Sequence, residues 1–118
     1  MSEQMRSPGK TTVAADVLID IIRLATLSVP GVYSLAMVPS GVDRIFTKGG
    51  TEGVQISING DIVTASVYVI LEGKYEVMPV SHKIQTKVGR AISEMVGMEV
   101  GNVNVHVEDI NCKPKLEE

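Results

Sequence analysis

The strongest constraint on the fold is a strict alternation of apolar and polar residues near the end of the chain. Residues 103–108 place a valine at every second position, and they follow an amphipathic helical stretch that ends at Gly97. Period-two alternation is typical of a strand with one buried and one solvent-facing side. Because the buried valines need a covering layer, which the preceding helix can supply, the sequence predicts a mixed α/β (α+β) domain.

Composition limits the classes of protein to which the chain can belong. Its 118 residues suffice for one domain with one core, and its formal net charge of −3 argues against a nucleic-acid partner. Cys112 is the only cysteine, so an intrachain disulfide is excluded and a reducing cytoplasm is expected. No segment has the roughly 20 consecutive apolar residues of a spanning helix. We therefore expect a cytoplasmic protein whose contact with the membrane is indirect.

The residue pattern predicts a single small domain over residues 11–110, between a disordered tail at 1–10 and a charged tail at 111–118. The expected element order is α-β-β-β-α-β, with a mixed or antiparallel sheet and two packed helices. In chain order, the predicted elements are a helix over 12–29, a short strand over 32–38, strands over 55–58 and 62–71, a helix from about 77 to 97 and a strand over 100–110.

The first predicted helix is apolar around most of its circumference. Only Asp16, Asp20 and Arg23 mark a narrow polar stripe. Its buried side is expected at one set of helically spaced positions: Ala14, Val17, Leu18, Ile21, Leu24, Ala25 and Ser28. Ile19, Ile22 and Leu27 widen this apolar arc. Such a helix is either enclosed within its own domain or partly reserved for another subunit.

The middle of the chain is predicted to form a hairpin that follows a long loop. Asn59-Gly60 favours a type I′ two-residue turn with these two residues at its centre, because both central positions of such a turn need a positive φ. The preceding loop over 39–53 is rich in glycine and carries the apolar pair Ile45 and Phe46. This pair is expected either to contact another molecule or to fold onto the core.

Several short motifs occur in a fixed order: Val-Pro-Gly-Val at 29–32, Gly-Val at 53–54, an apolar run at 67–71, Val-Met-Pro-Val at 77–80, the stretch 88–97 and Val-Asn-Val-His-Val at 103–107. Together they resemble the alkaline shock protein family of Gram-positive bacteria, over about residues 11–110. The resemblance implies a non-enzymatic protein of the envelope and general stress response. Family members look like cytoplasmic proteins that self-associate and are held near the membrane by a small membrane-anchored partner.

Residues that could carry catalysis or bind metal are few. His82, His106 and Cys112 lack the spacing of zinc ligands, and the helix neighbours Ser81 and His82 point in different directions, which excludes them as a nucleophile and base pair. The segment 50–53 precedes a hairpin, so neither a phosphate loop nor a K-homology clamp is expected. We therefore predict no enzyme, no cofactor and no metal.

Self-association is predicted to use apolar side chains in excess of those that a small domain can hide. The candidate interface comprises Ile19, Ile22 and Leu27 on the first helix, Ile45 and Phe46 on the loop, and Ile62 and Ile70 on the sheet.

A candidate basic patch lies on the second helix. Lys83, Lys87 and Arg90 follow one another at helical spacing. They form either a solvated helix face or a contact for an acidic partner or an anionic membrane surface.

The predicted function is therefore that of a scaffold or adaptor that assembles into homo-oligomers. The alternative is a regulatory module that binds an enzyme, or a small acyl or nucleotide ligand, in a groove between the 39–53 loop and the second helix. That groove would be lined by Phe46, Met78 and Met37.

Overall fold

The structure, a computed structural model, describes residues 13–37 and 53–112. Its elements are α1 (Ala15–Leu27), β1 (Val32–Leu35), β2 (Val54–Asn59), β3 (Ile62–Glu72), α2 (Val77–Ala91) and β4 (Glu99–Asn111). A π-helical turn over Ile92–Val96 extends α2, and Gly97 ends it in the left-handed conformation. The predicted order α-β-β-β-α-β is confirmed. The N-terminal tail, most of the 39–53 loop and residues 113–118 lie outside the described residues.

The four strands form one mixed sheet with β3 at its centre. Both β1 and β2 pair antiparallel with β3, whereas β4 pairs parallel with it from Ile62 to Glu72. Because β4 occupies one edge of β3 along its whole length, β1 and β2 share the other edge and lie end to end. They meet at Tyr68, whose backbone N–H donates to the carbonyl of Gly53 and whose carbonyl accepts from the N–H of Ala36.

The hairpin turn lies one residue later than predicted. Asn59 pairs with Ile62, so Gly60 and Asp61 form the two-residue loop, and Gly60 adopts a φ of 65°. A glycine at the first central position suits this turn, because that position requires a positive φ. The apolar side chains of the two strands share one face, since Ile56 pairs with Ala65 and Ile58 with Val63.

Both helices cover the same face of the sheet. The core between them contains Leu18 and Ile22 of α1, the inward side chains of β2 and β3, and the fully buried Ile84 and Val88 of α2. Val103, Val105 and Val107 of β4 are half-buried and pack against this core, as their alternation predicts. The layer arrangement is that expected when β3 and the parallel β4 are joined by a helical crossover.

The buried side of α1 differs from the predicted side. Ile19 and Ile22, which we predicted to be interface residues exposed by the domain, are 4% and 0% exposed and belong to the core. Val17 and Leu24, which were expected to be buried, are 48% and 68% exposed. Apolar residues surround most of this helix, so their spacing alone does not determine which side packs on the sheet.

The connection from α1 to β1 depends on Gly31 of the Val-Pro-Gly-Val motif. Gly31 has a φ of 102°, and a Cβ there would lie 2.8 Å from Cγ2 of Val80 and 3.0 Å from Cγ of Tyr75. Its backbone carbonyl also accepts a hydrogen bond from the N–H of Glu72 at the end of β3. The chain therefore enters the sheet beneath the start of α2, at a point where no side chain fits.

We expect Ile22→Ala to lower the free energy of unfolding by about 2–5 kcal/mol, because it leaves a cavity between α1 and the sheet. The matched control is Met78→Ala, which truncates an exposed apolar side chain on α2 and is expected to change stability by no more than about 0.5 kcal/mol. Urea unfolding followed by circular dichroism measures both. Equal effects of the two substitutions would contradict the placement of Ile22 in the core.

We expect Gly31→Ala to destabilise the protein by about 1–3 kcal/mol, through backbone strain and the close contact with Val80. Gly89 provides the control, because it lies within α2 and a Cβ there meets no atom within 4 Å. Gly89→Ala should stabilise the protein by about 0.5–1 kcal/mol, through higher helix propensity. The two melting temperatures should therefore shift in opposite directions.

Candidate interaction surfaces

The candidate interface residues are distributed over separate parts of the molecule. Leu27 and Ile62 are 45% and 40% exposed, and Ile70 is half-buried on the sheet face opposite the helices. Ile45 and Phe46 lie outside the described residues. With Ile19 and Ile22 in the core, the structure does not bring the predicted interface together as one patch.

A different apolar surface runs along α1. Val17, Ile21 and Leu24 follow one another at spacings of four and three residues, and Leu27 lies one turn beyond Leu24. We call these four residues the α1 stripe. Spacings of three and four place side chains next to one another on one side of a helix. Three of the four are exposed and Ile21 is half-buried, so the stripe is an apolar row on the surface that is interrupted by the exposed Asp20.

The outer face of the sheet carries polar and aromatic side chains. The ring of His106 on β4 stacks on that of Tyr68, with centroids 4.5 Å apart and planes 11° from parallel. The Tyr68 hydroxyl donates to Oε1 of Gln55 at 3.3 Å, and both residues are buried. Nδ2 of Asn104 lies 3.5 Å from Oγ of Ser66, to which it donates. This network links β2, β3 and β4 and gives His106 a structural contact.

The predicted basic patch lines a cleft between the two helices. Lys83, Lys87 and Arg90 stand along α2, and the opposite wall is the end of α1 and the residues that follow it. The cleft has a volume of about 570 Å³ and is lined by Ser28, Val29, Pro30, His82, Lys83, Thr86, Lys87 and Arg90. We call this cleft the basic groove. The groove exists only because α1 packs beside α2, since its two walls come from segments about 55 residues apart in the chain.

The positive charges of the basic groove are weakly compensated. Arg90 lies 3.8 Å from Glu94, with both side chains largely exposed, so this pair contributes little. Neither Lys83 nor Lys87 forms an ion pair with any residue in the described ranges. A second cavity, of about 270 Å³, adjoins the groove at Pro30 and Lys83 and is also lined by Lys74 and by the carboxylate residue Glu76. Among the lysines and arginines of residues 13–37 and 53–112, only Arg23 lines neither cavity.

The remaining reactive side chains are dispersed. His82 lines the basic groove, His106 stacks on Tyr68, and the exposed Cys112 follows β4. Within the described part of the chain, no group of three or more His, Cys, Asp or Glu side chains is placed to hold a metal ion. Neither helix described here has the length and apolarity that crossing a membrane requires.

The alternative ligand groove cannot be assembled from the described residues. Phe46 and nearly all of the 39–53 loop lie outside them. Met37 and Met78 are both exposed, and neither lines the two cavities described above.

Sequence reasoning missed two features of these surfaces. The exposure of Val17 and Leu24 was not predicted, although the spacing of 17, 21 and 24 is visible in the sequence as a second apolar row. The contribution of Ser28 and Pro30 to the basic groove has no local signal, because it arises only when α1 packs beside α2.

Comparison with known families identifies a relationship along almost the whole chain. The model of the alkaline shock protein family, described as having a cell envelope-related function, matches residues 3–112. Among curated proteins, Spy1535 of Streptococcus pyogenes serotype M6 is 36% identical over 104 residues, which cover 86% of this chain and 79% of the relative. YloU of Bacillus subtilis is 24% identical over 115 residues, which cover 93% of this chain and 96% of the relative. Both relatives carry the description "uncharacterized protein".

Among solved structures, the fold is similar to that of the MamM CTD. The zinc form of one variant has a TM-score of 0.51 at 14% sequence identity, covering 86% of this chain and 91% of that one. The copper form has a TM-score of 0.50, also at 14% identity, covering 87% and 89%. At this identity the likeness concerns the fold alone.

Proposed function

Because this chain belongs to the alkaline shock protein family, whose function is cell envelope-related, we propose that it acts without catalysis, as a self-associating adaptor. In this proposal, copies of the chain assemble in the cytoplasm and a small membrane-anchored protein holds them near the envelope. The observation that carries the proposal is the α1 stripe.

The α1 stripe has the geometry of a helix-pairing surface. Its residues follow the three-and-four spacing with which paired helices pack. The helix is about 20 Å long, at 1.5 Å per residue. Asp20 lies within the stripe, three residues after Val17 and four before Leu24, and forms an ion pair of 2.7 Å with Arg23. Their charges are thus partly compensated within one protomer and oppose pairing only weakly.

A symmetric arrangement follows from the spacing. If two copies of α1 pair antiparallel about a twofold axis between residues 20 and 21, Val17 of one protomer faces Leu24 of the other, and Ile21 of one protomer faces Asp20 of the other near the axis. Such an isologous interface uses the same patch twice and closes on itself. It covers apolar surface that a single protomer leaves in water.

The character of the surfaces supports an adaptor rather than an enzyme. The α1 stripe is a raised apolar strip, and the basic groove is an open cleft with cations along one wall. His106 is engaged in stacking on Tyr68, while His82 lies on another element. Surfaces of this kind suit contacts with other proteins, whereas acid–base catalysis needs ionisable groups that converge on a reacting atom.

We expect Leu24→Lys to weaken self-association at least about tenfold, because each interface would have to bury an ammonium group in place of an apolar side chain. Sedimentation velocity over a range of protein concentrations measures the effect. Met95→Lys is the matched control, since it places the same charge on another highly exposed apolar residue outside the α1 stripe. This control should associate as the wild type does.

Two outcomes would contradict the proposed self-association. A wild-type protein that sediments as a monomer at high micromolar concentration overturns the self-association proposal. So does an oligomer that Leu24→Lys and Met95→Lys leave equally intact. Circular dichroism of both variants establishes that a loss of association does not arise from unfolding.

A further inference from the structure

We infer that the basic groove binds an acidic segment of a partner protein, with an apolar side chain of that segment held against Pro30. The inference rests on the proposed adaptor function, because an adaptor must hold a second protein. It concerns residues other than those of the α1 stripe, so the two proposals can fail separately.

The charges of the groove match a row of carboxylates. Lys83, Lys87 and Arg90 extend along α2 over about 10 Å, at 1.5 Å per residue. Acidic residues three or four apart on a helix, or at alternate positions of an extended segment, repeat at about 5–7 Å and can meet successive cations. Since Lys83 and Lys87 have no ion-pair partner among the described residues, binding need not break an existing pair.

The opposite wall of the groove is suited to an apolar contact. Ser28 ends α1, where its hydroxyl donates to the carbonyl of Ala25 at 2.7 Å, so its polar group is already engaged. Val29 and Pro30 follow; Val29 is 2% exposed and belongs to the core, so the exposed apolar surface of this wall is Pro30. A segment that combines acidic residues with leucine or a similar side chain would therefore contact the cations on one side and Pro30 on the other.

Shape and charge favour a peptide over a membrane surface. The groove is concave and can accommodate a row of side chains from a peptide. A flat or protruding protein surface makes more contact with a lipid bilayer than a concave one does. Each basic residue near an anionic membrane contributes only about 1 kcal/mol. The formal net charge of the whole chain is −3. An extended anionic lipid surface meets that whole charge, whereas a short acidic peptide contacts only the cations of the groove.

The test uses a short fluorescent peptide of Glu, Leu and Ala, with glutamates at every third or fourth position, and the full-length protein. We expect saturable binding by fluorescence anisotropy that weakens as salt is raised. The double variant Lys83→Glu with Lys87→Glu should bind at least about tenfold more weakly, because two attractions become repulsions. The matched control, Lys113→Glu with Lys115→Glu, makes the same change in net charge outside the described residues and should bind as the wild type does.

Three further measurements make the outcome decisive. A peptide with every glutamate replaced by glutamine should not bind, and vesicles of phosphatidylglycerol should bind the wild type more weakly than the acidic peptide. Equal losses in the two charge-reversed variants, binding to vesicles without binding to the peptide, or no binding to either probe would each overturn the inference. The groove variant should retain the wild-type sedimentation behaviour, so failure of this inference is distinguishable from failure of self-association.

Discussion

The structure depends on the pairing of β3 along both of its edges. Backbone groups of β3 bond to β1 and β2 on one side and to β4 on the other, which satisfies donors and acceptors that burial would otherwise leave without partners. Its inward side chains, such as Val67 and Leu71, are fully buried. A central strand of this kind needs a covering layer, and the parallel pairing of β4 supplies part of it, because the crossover from β3 to β4 is α2 itself. α1 then completes the layer on the same face.

Placing both helices on one face has consequences for each surface. The opposite face of the sheet carries the stacked Tyr68 and His106 and the Asn104–Ser66 contact beside the apolar Ile70, so it is mixed in character and partly self-paired. The helix layer is only one helix thick, and each helix therefore presents its second side to solvent. For α2 that side is polar and basic, as is usual for a surface helix. For α1 it is apolar, and this difference between the two helices is what points to assembly through α1.

The buried side could be predicted for elements with one apolar side. It could not be predicted for α1, which has apolar residues around most of its circumference. The alternation at 103–107 and the row Val80, Ile84 and Val88 each have one apolar side, so the buried face follows from the residues. In α1, Leu18 and Leu24 are equally apolar. Leu18 is 0% exposed and Leu24 is 68% exposed, because the side of α1 that carries Leu18 contacts the sheet and α2. The spacing of apolar residues in α1 is compatible with burial of either side, and the contacts with the sheet and α2 bury the side that we did not predict.

The two proposed surfaces meet at the end of α1. Leu24 and Leu27 belong to the α1 stripe, and Ser28, the next residue, lines the basic groove. In an antiparallel pair of α1 helices, the two C-terminal ends lie at opposite ends of the pair, so the two grooves would be separated by about the 20 Å length of the helix. A partner with two acidic segments could then occupy both grooves. The second contact would be intramolecular, which raises the overall affinity without any new interaction within a groove. In the proposed arrangement, assembly through the α1 stripe and binding through the charged contacts of the groove would reinforce each other, because the first would set the spacing on which the second depends.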